Sequence, residues 1–153
     1  YAVDGLHSFE FWSEDFFAVF PKDDIHAKLE TINADELATA NLMLLGEGHC
    51  LTDQTLSVCH FDRAQMKSSF SDASLNTLIQ MALANMGTTL VPEMALDQLH
   101  LQNQNAVAIP LAEDGPHRHI AFVTRLNYAR VDDVSLLGDV FNKAFKDAVA
   151  NKE

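Results

Sequence analysis

Both cysteines of the chain lie in one short stretch, Gly46-Glu47-Gly48-His49-Cys50-Leu51-Thr52-Asp53-Gln54-Thr55-Leu56-Ser57-Val58-Cys59-His60, and each has a histidine beside it. Thiols in such company fill a core, bind a metal or exchange electrons. Free cysteine is among the most often buried residue types and packs as a small apolar group, so two inert thiols need no special role. His49, Cys50, Cys59 and His60 are ligand types that zinc accepts, but adjacent ligands seldom converge on one tetrahedron and no CxxC pair is present. The third reading is a redox pair. If a helix begins after Gly48, the backbone N–H groups at its start favour a thiolate at Cys50, and His49 adds positive charge. Over the nine positions to Cys59 a continuous helix rises roughly 13 Å, whereas a disulfide needs Cα atoms about 4.4–6.8 Å apart. Under that condition an intact helix and a Cys50–Cys59 bond exclude one another. The residues alone leave all three readings open.

The elements that must position these residues alternate in type. Phe9–Trp12 and Phe16–Phe20, closed by Pro21, read as two short aromatic strands. Asn33 followed by Glu36 marks a capped short helix, and Leu42–Leu45 a buried strand. Helical spacing resumes after Gly48 with Leu51, Gln54, Thr55 and Val58. Ser74 opens a second helix with Leu75, Leu78, Ile79 and Ala82 on one face, and Gly87 is expected to stop it. Strands are expected at Thr88–Val91, Ala106–Ile109 and His119–Thr124, with a short helix over 94–100. A last helix over Val131–Val149 carries an apolar stripe of Val134, Leu137, Val140, Phe141, Phe145 and Val149. This alternation predicts an α/β fold with a mainly parallel sheet.

Composition narrows the partners. The 153 residues suffice for one domain with a real core, and 48% of them are apolar. The formal net charge is −12, from 22 acidic and 10 basic residues, and Lys22, Lys28, Arg63 and Lys67 are scattered among acids. Such a surface repels phosphate backbones, so this stretch is not expected to hold DNA itself. No apolar run approaches the length of a membrane span, so no membrane partner is expected. Two cysteines are too few for a secreted disulfide scaffold, which points to a reducing cytoplasm. The chain begins at Tyr1 without a signal pattern, and a piece of a longer protein is expected.

Gly48-His49-Cys50-Leu51-x-Asp53-Gln54, with a second cysteine nine positions after the first, resembles the redox centre of the OxyR family, the hydrogen-peroxide sensors among LysR-type transcriptional regulators. Phe70-x-x-x-Ser74-Leu75-x-Thr77-Leu78, Met86-Gly87-Thr88-Thr89-Leu90-Val91-Pro92 and Arg118-x-Ile120-x-x-Val123-x-Arg125 extend the resemblance, which runs from about residue 8 to 150. The glycine–proline motif is generic to the superfamily; the Gly-His-Cys turn is specific to the sensors. The resemblance implies a periplasmic-binding-protein-like regulatory domain of LysR type. Residues 1–118 would form subdomain II with the redox centre, and 119–153 the returning strand and last helix of an incomplete subdomain I.

It further implies a redox regulator rather than an enzyme. Cys50 would be oxidised by hydrogen peroxide and resolved by Cys59 into a disulfide that remodels the domain. Gly48, His49, Asp53 and Arg118 would surround the thiolate and peroxide, with no metal and no cofactor. His60 is expected to be a surface residue. The partners implied are peroxide, further copies of the chain, RNA polymerase, and promoter DNA through a DNA-binding domain absent from this sequence, in a bacterial cytoplasm. A small-molecule effector domain of another LysR-type regulator is the alternative, and a thiol peroxidase a third. Thr52 stands where the family commonly has arginine, and Ser69 where it has histidine. The apolar stripe from Val134 to Val149 is expected to lack its own sheet and to be covered by residues outside the sequence or by another chain.

Overall fold

Strand β2 (Phe16–Pro21) is apolar in every side chain and almost wholly buried, so it needs cover on both faces. The structure, a computed structural model, describes residues 5–46, 49–62, 69–70, 73–99 and 105–150. β2 is the middle strand of a three-stranded sheet, between β5 (Thr89–Pro92) and β6 (Ala106–Pro110). Phe17 sits opposite Val91 on one side, and Ala18 opposite Ile109 on the other. Because side chains alternate along a strand, β2 divides the core. Phe16, Ala18 and Phe20 join Ile32, Leu37, Leu44, Ile109 and Cys59 on one face, under α1 (Ala34–Thr39) and α2 (Cys50–Val58). Val19 and Phe17 join Ile79, Val91 and Ala106 on the other, under α3 (Leu75–Leu83) and α4 (Leu96–Leu99).

Both pairings of β2 are antiparallel, which corrects the expected mainly parallel sheet. The short strands β3 (Leu44–Leu45) and β4 (Ser69–Phe70) pair in parallel, as do the bridges Leu42–Thr88 and Ile32–Leu111. Alternating helices and strands give the order of elements, but strand direction depends on which strand fills the middle. Here that strand is the earliest of the three, and the chain has to run back along both its edges.

Local signals account for the helix ends. Asn33 accepts a hydrogen bond from the Glu36 N–H while the Glu36 carboxylate accepts from the Asn33 N–H, a complete capping box. Ser74 caps α3 by accepting from the Thr77 N–H. The expectation that Gly87 stops α3 is corrected: Asn85, at φ 59°, takes the left-handed position after the helix. Its N–H reaches the Ala82 carbonyl and the Met86 N–H reaches the Met81 carbonyl, which satisfies the last turn. Gly87 is required for another reason. At φ +151° a Cβ there would lie 2.3 Å from the backbone oxygen of Asn41.

By their contacts the described residues form two units, Glu14–Arg118 and, apart from it, the stretches up to Ser13 and from His119 onward. β1 (Leu6–Glu14) falls mostly in the smaller unit, not with 14–118, because it pairs with β7 (Arg118–Arg125). There α5 (Val131–Ala150) lays Phe141 and Phe145 against Phe11, and Asn142 donates to the Phe11 carbonyl at 2.6 Å. Phe11 also stacks on Phe122, with ring centres 4.5 Å apart. Of the rest of the stripe Val134 is half-buried, and Leu137, Val140 and Val149 are 44%, 57% and 41% exposed.

Gly87→Ala is expected to destabilise the fold by more than about 1 kcal/mol, since it adds both a backbone clash and a strained φ. Gly5→Ala, at φ 78° with nothing within 4 Å, carries only the strain. Urea melts of the two variants should rank in that order.

Candidate redox site

α2 begins where β3 delivers it. The Gly46 N–H, just past β3, donates to the Phe70 carbonyl at 3.0 Å, and the Thr52 hydroxyl donates to the Leu45 carbonyl at 2.9 Å. The second bond ties the first turn of the helix to the end of the strand. Thr52 is therefore turned into the protein and buried. Cys50 is the first helical residue, exposed and free, at the end where an α-helix presents N–H groups unused by its own ladder. His49 occupies the N-cap position, its carbonyl accepting from the Thr52 N–H at 3.0 Å, but its side chain makes no capping bond. Asp53 follows in the same turn, where the positive end of the helix dipole favours an acid.

Cys59 closes the same helix. Its N–H donates to the Thr55 carbonyl, and it is the C-cap residue. His60, at φ 54°, takes the left-handed position beyond it. The His60 N–H reaches the Ser57 carbonyl and the Phe61 N–H the Leu56 carbonyl, so the last turn closes as it does on α3. His60 is exposed, and its backbone ends the helix. Cys59 is only 3% exposed, among Phe16, Phe20 and Leu111. Burial, and secondarily the Glu113 carboxylate, push its thiol from the ordinary 9.0 up to about 12. One carboxylate oxygen of Glu113 accepts from the Ala34 N–H at 2.7 Å, fixing that charge on the start of α1. The pair is thus asymmetric: one thiol open at the helix start, the other protonated and enclosed at its end.

Of the other expected site residues, His49 and Asp53 share the first turn of α2 with Cys50, and Gly48 lies outside the described residues. Arg118 engages different groups. Its Nε lies 2.5 Å from Oε1 of the buried Glu14, a charge contact in which the N–H does not point along the line, and its Nη2 donates to the Met94 sulfur at 3.1 Å. Glu14 in turn accepts from the Met94 N–H at 2.7 Å. The helical spacing was expected to bring Leu51, Gln54, Thr55 and Val58 together; the buried face is instead Thr52, Thr55 and Cys59, with the others half-buried. Sequence reasoning named Thr52 only as a departure from the family pattern and Thr55 only as a helix-face residue, and it missed Glu113. The spacing of the two threonines and Cys59 is helical and legible, but Glu113 is distant in sequence and carries no local signal. Among the described residues no group of three or more His, Cys, Asp or Glu side chains gathers to hold a metal, and no helix is long and apolar enough to cross a membrane.

Residues 2–146 match the LysR substrate binding domain family. The HTH-type transcriptional regulator EstR of Acinetobacter baylyi is 30% identical over 91% of this chain and 46% of its own length. A probable hydrogen peroxide-inducible genes activator of Streptomyces viridosporus is 31% identical over 95% of this chain and 47% of its own. The chain thus spans about half the length of these curated relatives. Among solved structures, the reduced form of the regulatory domain of OxyR2 from Vibrio vulnificus superposes with a TM-score of 0.79 at 31% identity, covering 94% of this chain and 67% of that one.

Alkylation of the native protein by iodoacetamide near neutral pH should modify Cys50 and spare Cys59 until denaturant is added, read by peptide mass mapping. A second expectation concerns stability. An unfolded chain releases the Cys59 proton near pH 9.0 and the folded one only near 12. The contribution of this thiol is therefore complete below 9.0 and is lost as pH rises from 9.0 to about 12. Cys59→Ala should flatten that part of the stability–pH curve, measured by thermal melts.

Proposed function

Because this chain belongs to the family of LysR substrate-binding domains, we propose that it is the redox-regulatory domain of a peroxide-responsive transcriptional regulator. The observation that carries the reading is the placement of the two thiols at opposite ends of one helix, Cys50 exposed and Cys59 buried. The kinship with a hydrogen peroxide-inducible genes activator supports it. Peroxide is the oxidant. The Cys50 thiolate attacks one peroxide oxygen, the O–O bond breaks, and the leaving hydroxide takes up a proton as water, leaving a sulfenic acid. The Cys59 thiol then attacks the Cys50 sulfur, its proton leaves with the hydroxyl as a second water, and a disulfide remains. Two thiols are oxidised and one peroxide is reduced.

His49 and Asp53, with Gly48, are read as the polar surroundings of the thiolate. Arg118 is left out of the peroxide step, since its guanidinium is engaged by Glu14 and Met94. The larger unit is read as subdomain II of the regulatory domain, and β1, β7 and α5 as part of subdomain I. Cys59 reaches Cys50 only when α2 loses its helical form, and that remodelling is the signal. Regulatory domains of neighbouring copies would read it, and promoter DNA and RNA polymerase would be met through the rest of a longer protein. The alternative is a small-molecule effector domain, the reading to which the kinship with EstR gives weight.

The test is titration of the reduced chain with hydrogen peroxide, followed by intact mass. One equivalent should remove about 2 Da and both free thiols, and Cys50→Ser should abolish the change. Cys59→Ser should stop at a sulfenic acid that dimedone traps. Thiols unchanged under peroxide would favour the effector domain; many peroxides consumed per chain with a reductant would mark a peroxidase.

A further inference from the structure

Two helices of equal length flank the strand core of the larger unit, and they are held very differently. α3 has nine residues and buries Leu78, Ile79 and Ala82; α2 also has nine and buries only Thr52 and Thr55. The two threonines are not equivalent. Thr52 donates its hydroxyl to the Leu45 carbonyl. Thr55 is wholly buried, and its hydroxyl finds no hydrogen-bond partner among the described residues. A threonine within a helix usually turns its hydroxyl back to the carbonyl three or four residues earlier. Thr55 does not. A hydroxyl taken out of water without a replacement partner destabilises the state that buries it. The side-chain oxygen of Gln54, next in sequence, is buried and unpartnered as well.

We propose that Thr55 sets the redox threshold of the domain: its unsatisfied hydroxyl destabilises the docked helix and so favours the disulfide form, in which α2 has come away. The proposal rests on reading Cys50 and Cys59 as a disulfide-forming pair. Thr55 touches neither peroxide nor sulfur; it acts on the equilibrium between two states of the helix. When α2 leaves the core the hydroxyl returns to water and the penalty disappears. The more costly the docked state, the less the disulfide has to supply to displace it.

Thr55→Val keeps the shape and removes the hydroxyl. The reduced variant should melt at a higher temperature than the parent, with slower hydrogen exchange at α2 amides and little change at α3. In a glutathione redox buffer its equilibrium should move about tenfold toward the dithiol, equivalent to ~30 mV. Thr52→Val should move melting and equilibrium the opposite way, because it leaves the Leu45 carbonyl without its donor. A Thr55→Val protein that melts no higher than the parent overturns the proposal. So does one stabilised equally in the reduced and oxidised forms, which leaves the equilibrium where it was. A parent that forms no Cys50–Cys59 bond sinks the functional reading together with this one. A parent that forms the bond, beside a Thr55→Val variant with unchanged equilibrium, sinks the threshold role alone.

Discussion

The fixed rise of an α-helix governs the rest. Each residue of α2 adds about 1.5 Å along the axis, and no side-chain adjustment brings the ends of a helix of this length within disulfide reach. The backbone hydrogen bonds that end with the Cys59 N–H on the Thr55 carbonyl are therefore what keeps the two thiols apart. Reduced and bonded states of this pair differ by a secondary-structure element, not by a rotamer. Any covalent event between Cys50 and Cys59 is thereby felt wherever α2 packs, which includes Phe16 and Phe20 at the centre of the sheet.

The same helix also gives the thiols different characters. Each cysteine has a histidine for a neighbour, so sequence context alone does not rank them. Position does. Helix starts lie open and rich in N–H groups, whereas the end of α2 is folded down onto the even-numbered face of β2. Burial makes the Cys59 thiolate costly, and the Glu113 carboxylate anchored on α1 adds to that cost. On the proposed reading, an oxidant arriving from solvent meets the exposed Cys50 first, and the buried Cys59 follows once it is out of the core.

Much of this was legible in the residues because it depends on near neighbours. The capping box at Asn33, the cap at Ser74, the strand ends at Pro21 and Pro92 and the helix start at Cys50 are all written within a few positions of where they act. What depends on tertiary partners was not legible. Strand direction followed from β2 filling the middle of the sheet. The stop of α3 fell to Asn85 because Gly87 is needed where the Asn41 backbone passes closest. Arg118 looked like a free cation beside a thiolate and is paired with Glu14, more than a hundred positions away, which no local pattern announces. The stripe on α5 was visible in the sequence, but the expectation that it lacks its sheet holds only in part: Phe141 and Phe145 pack on Phe11 of the β1–β7 sheet, while Leu137 and Val140 remain open.

The proposed switch would also need a scaffold that survives it. The two faces of β2 supply one. Val19, Ile79, Val91 and Ala106 form a cluster on the α3 side to which α2 contributes nothing. The ladders from β2 to β5 and β6 likewise contain no residue of α2. Lifting α2 would uncover only the part of one face that α1 does not cover, while the other face, anchored by leucine and isoleucine, would keep its packing. Local opening is least costly where few buried apolar side chains hold an element, and of the two nine-residue helices α2 fully buries only threonines, its Leu51, Leu56 and Val58 being partly buried. On the proposed reading, the face carrying α3 would keep the fold and the face carrying α2 would be the one that changes.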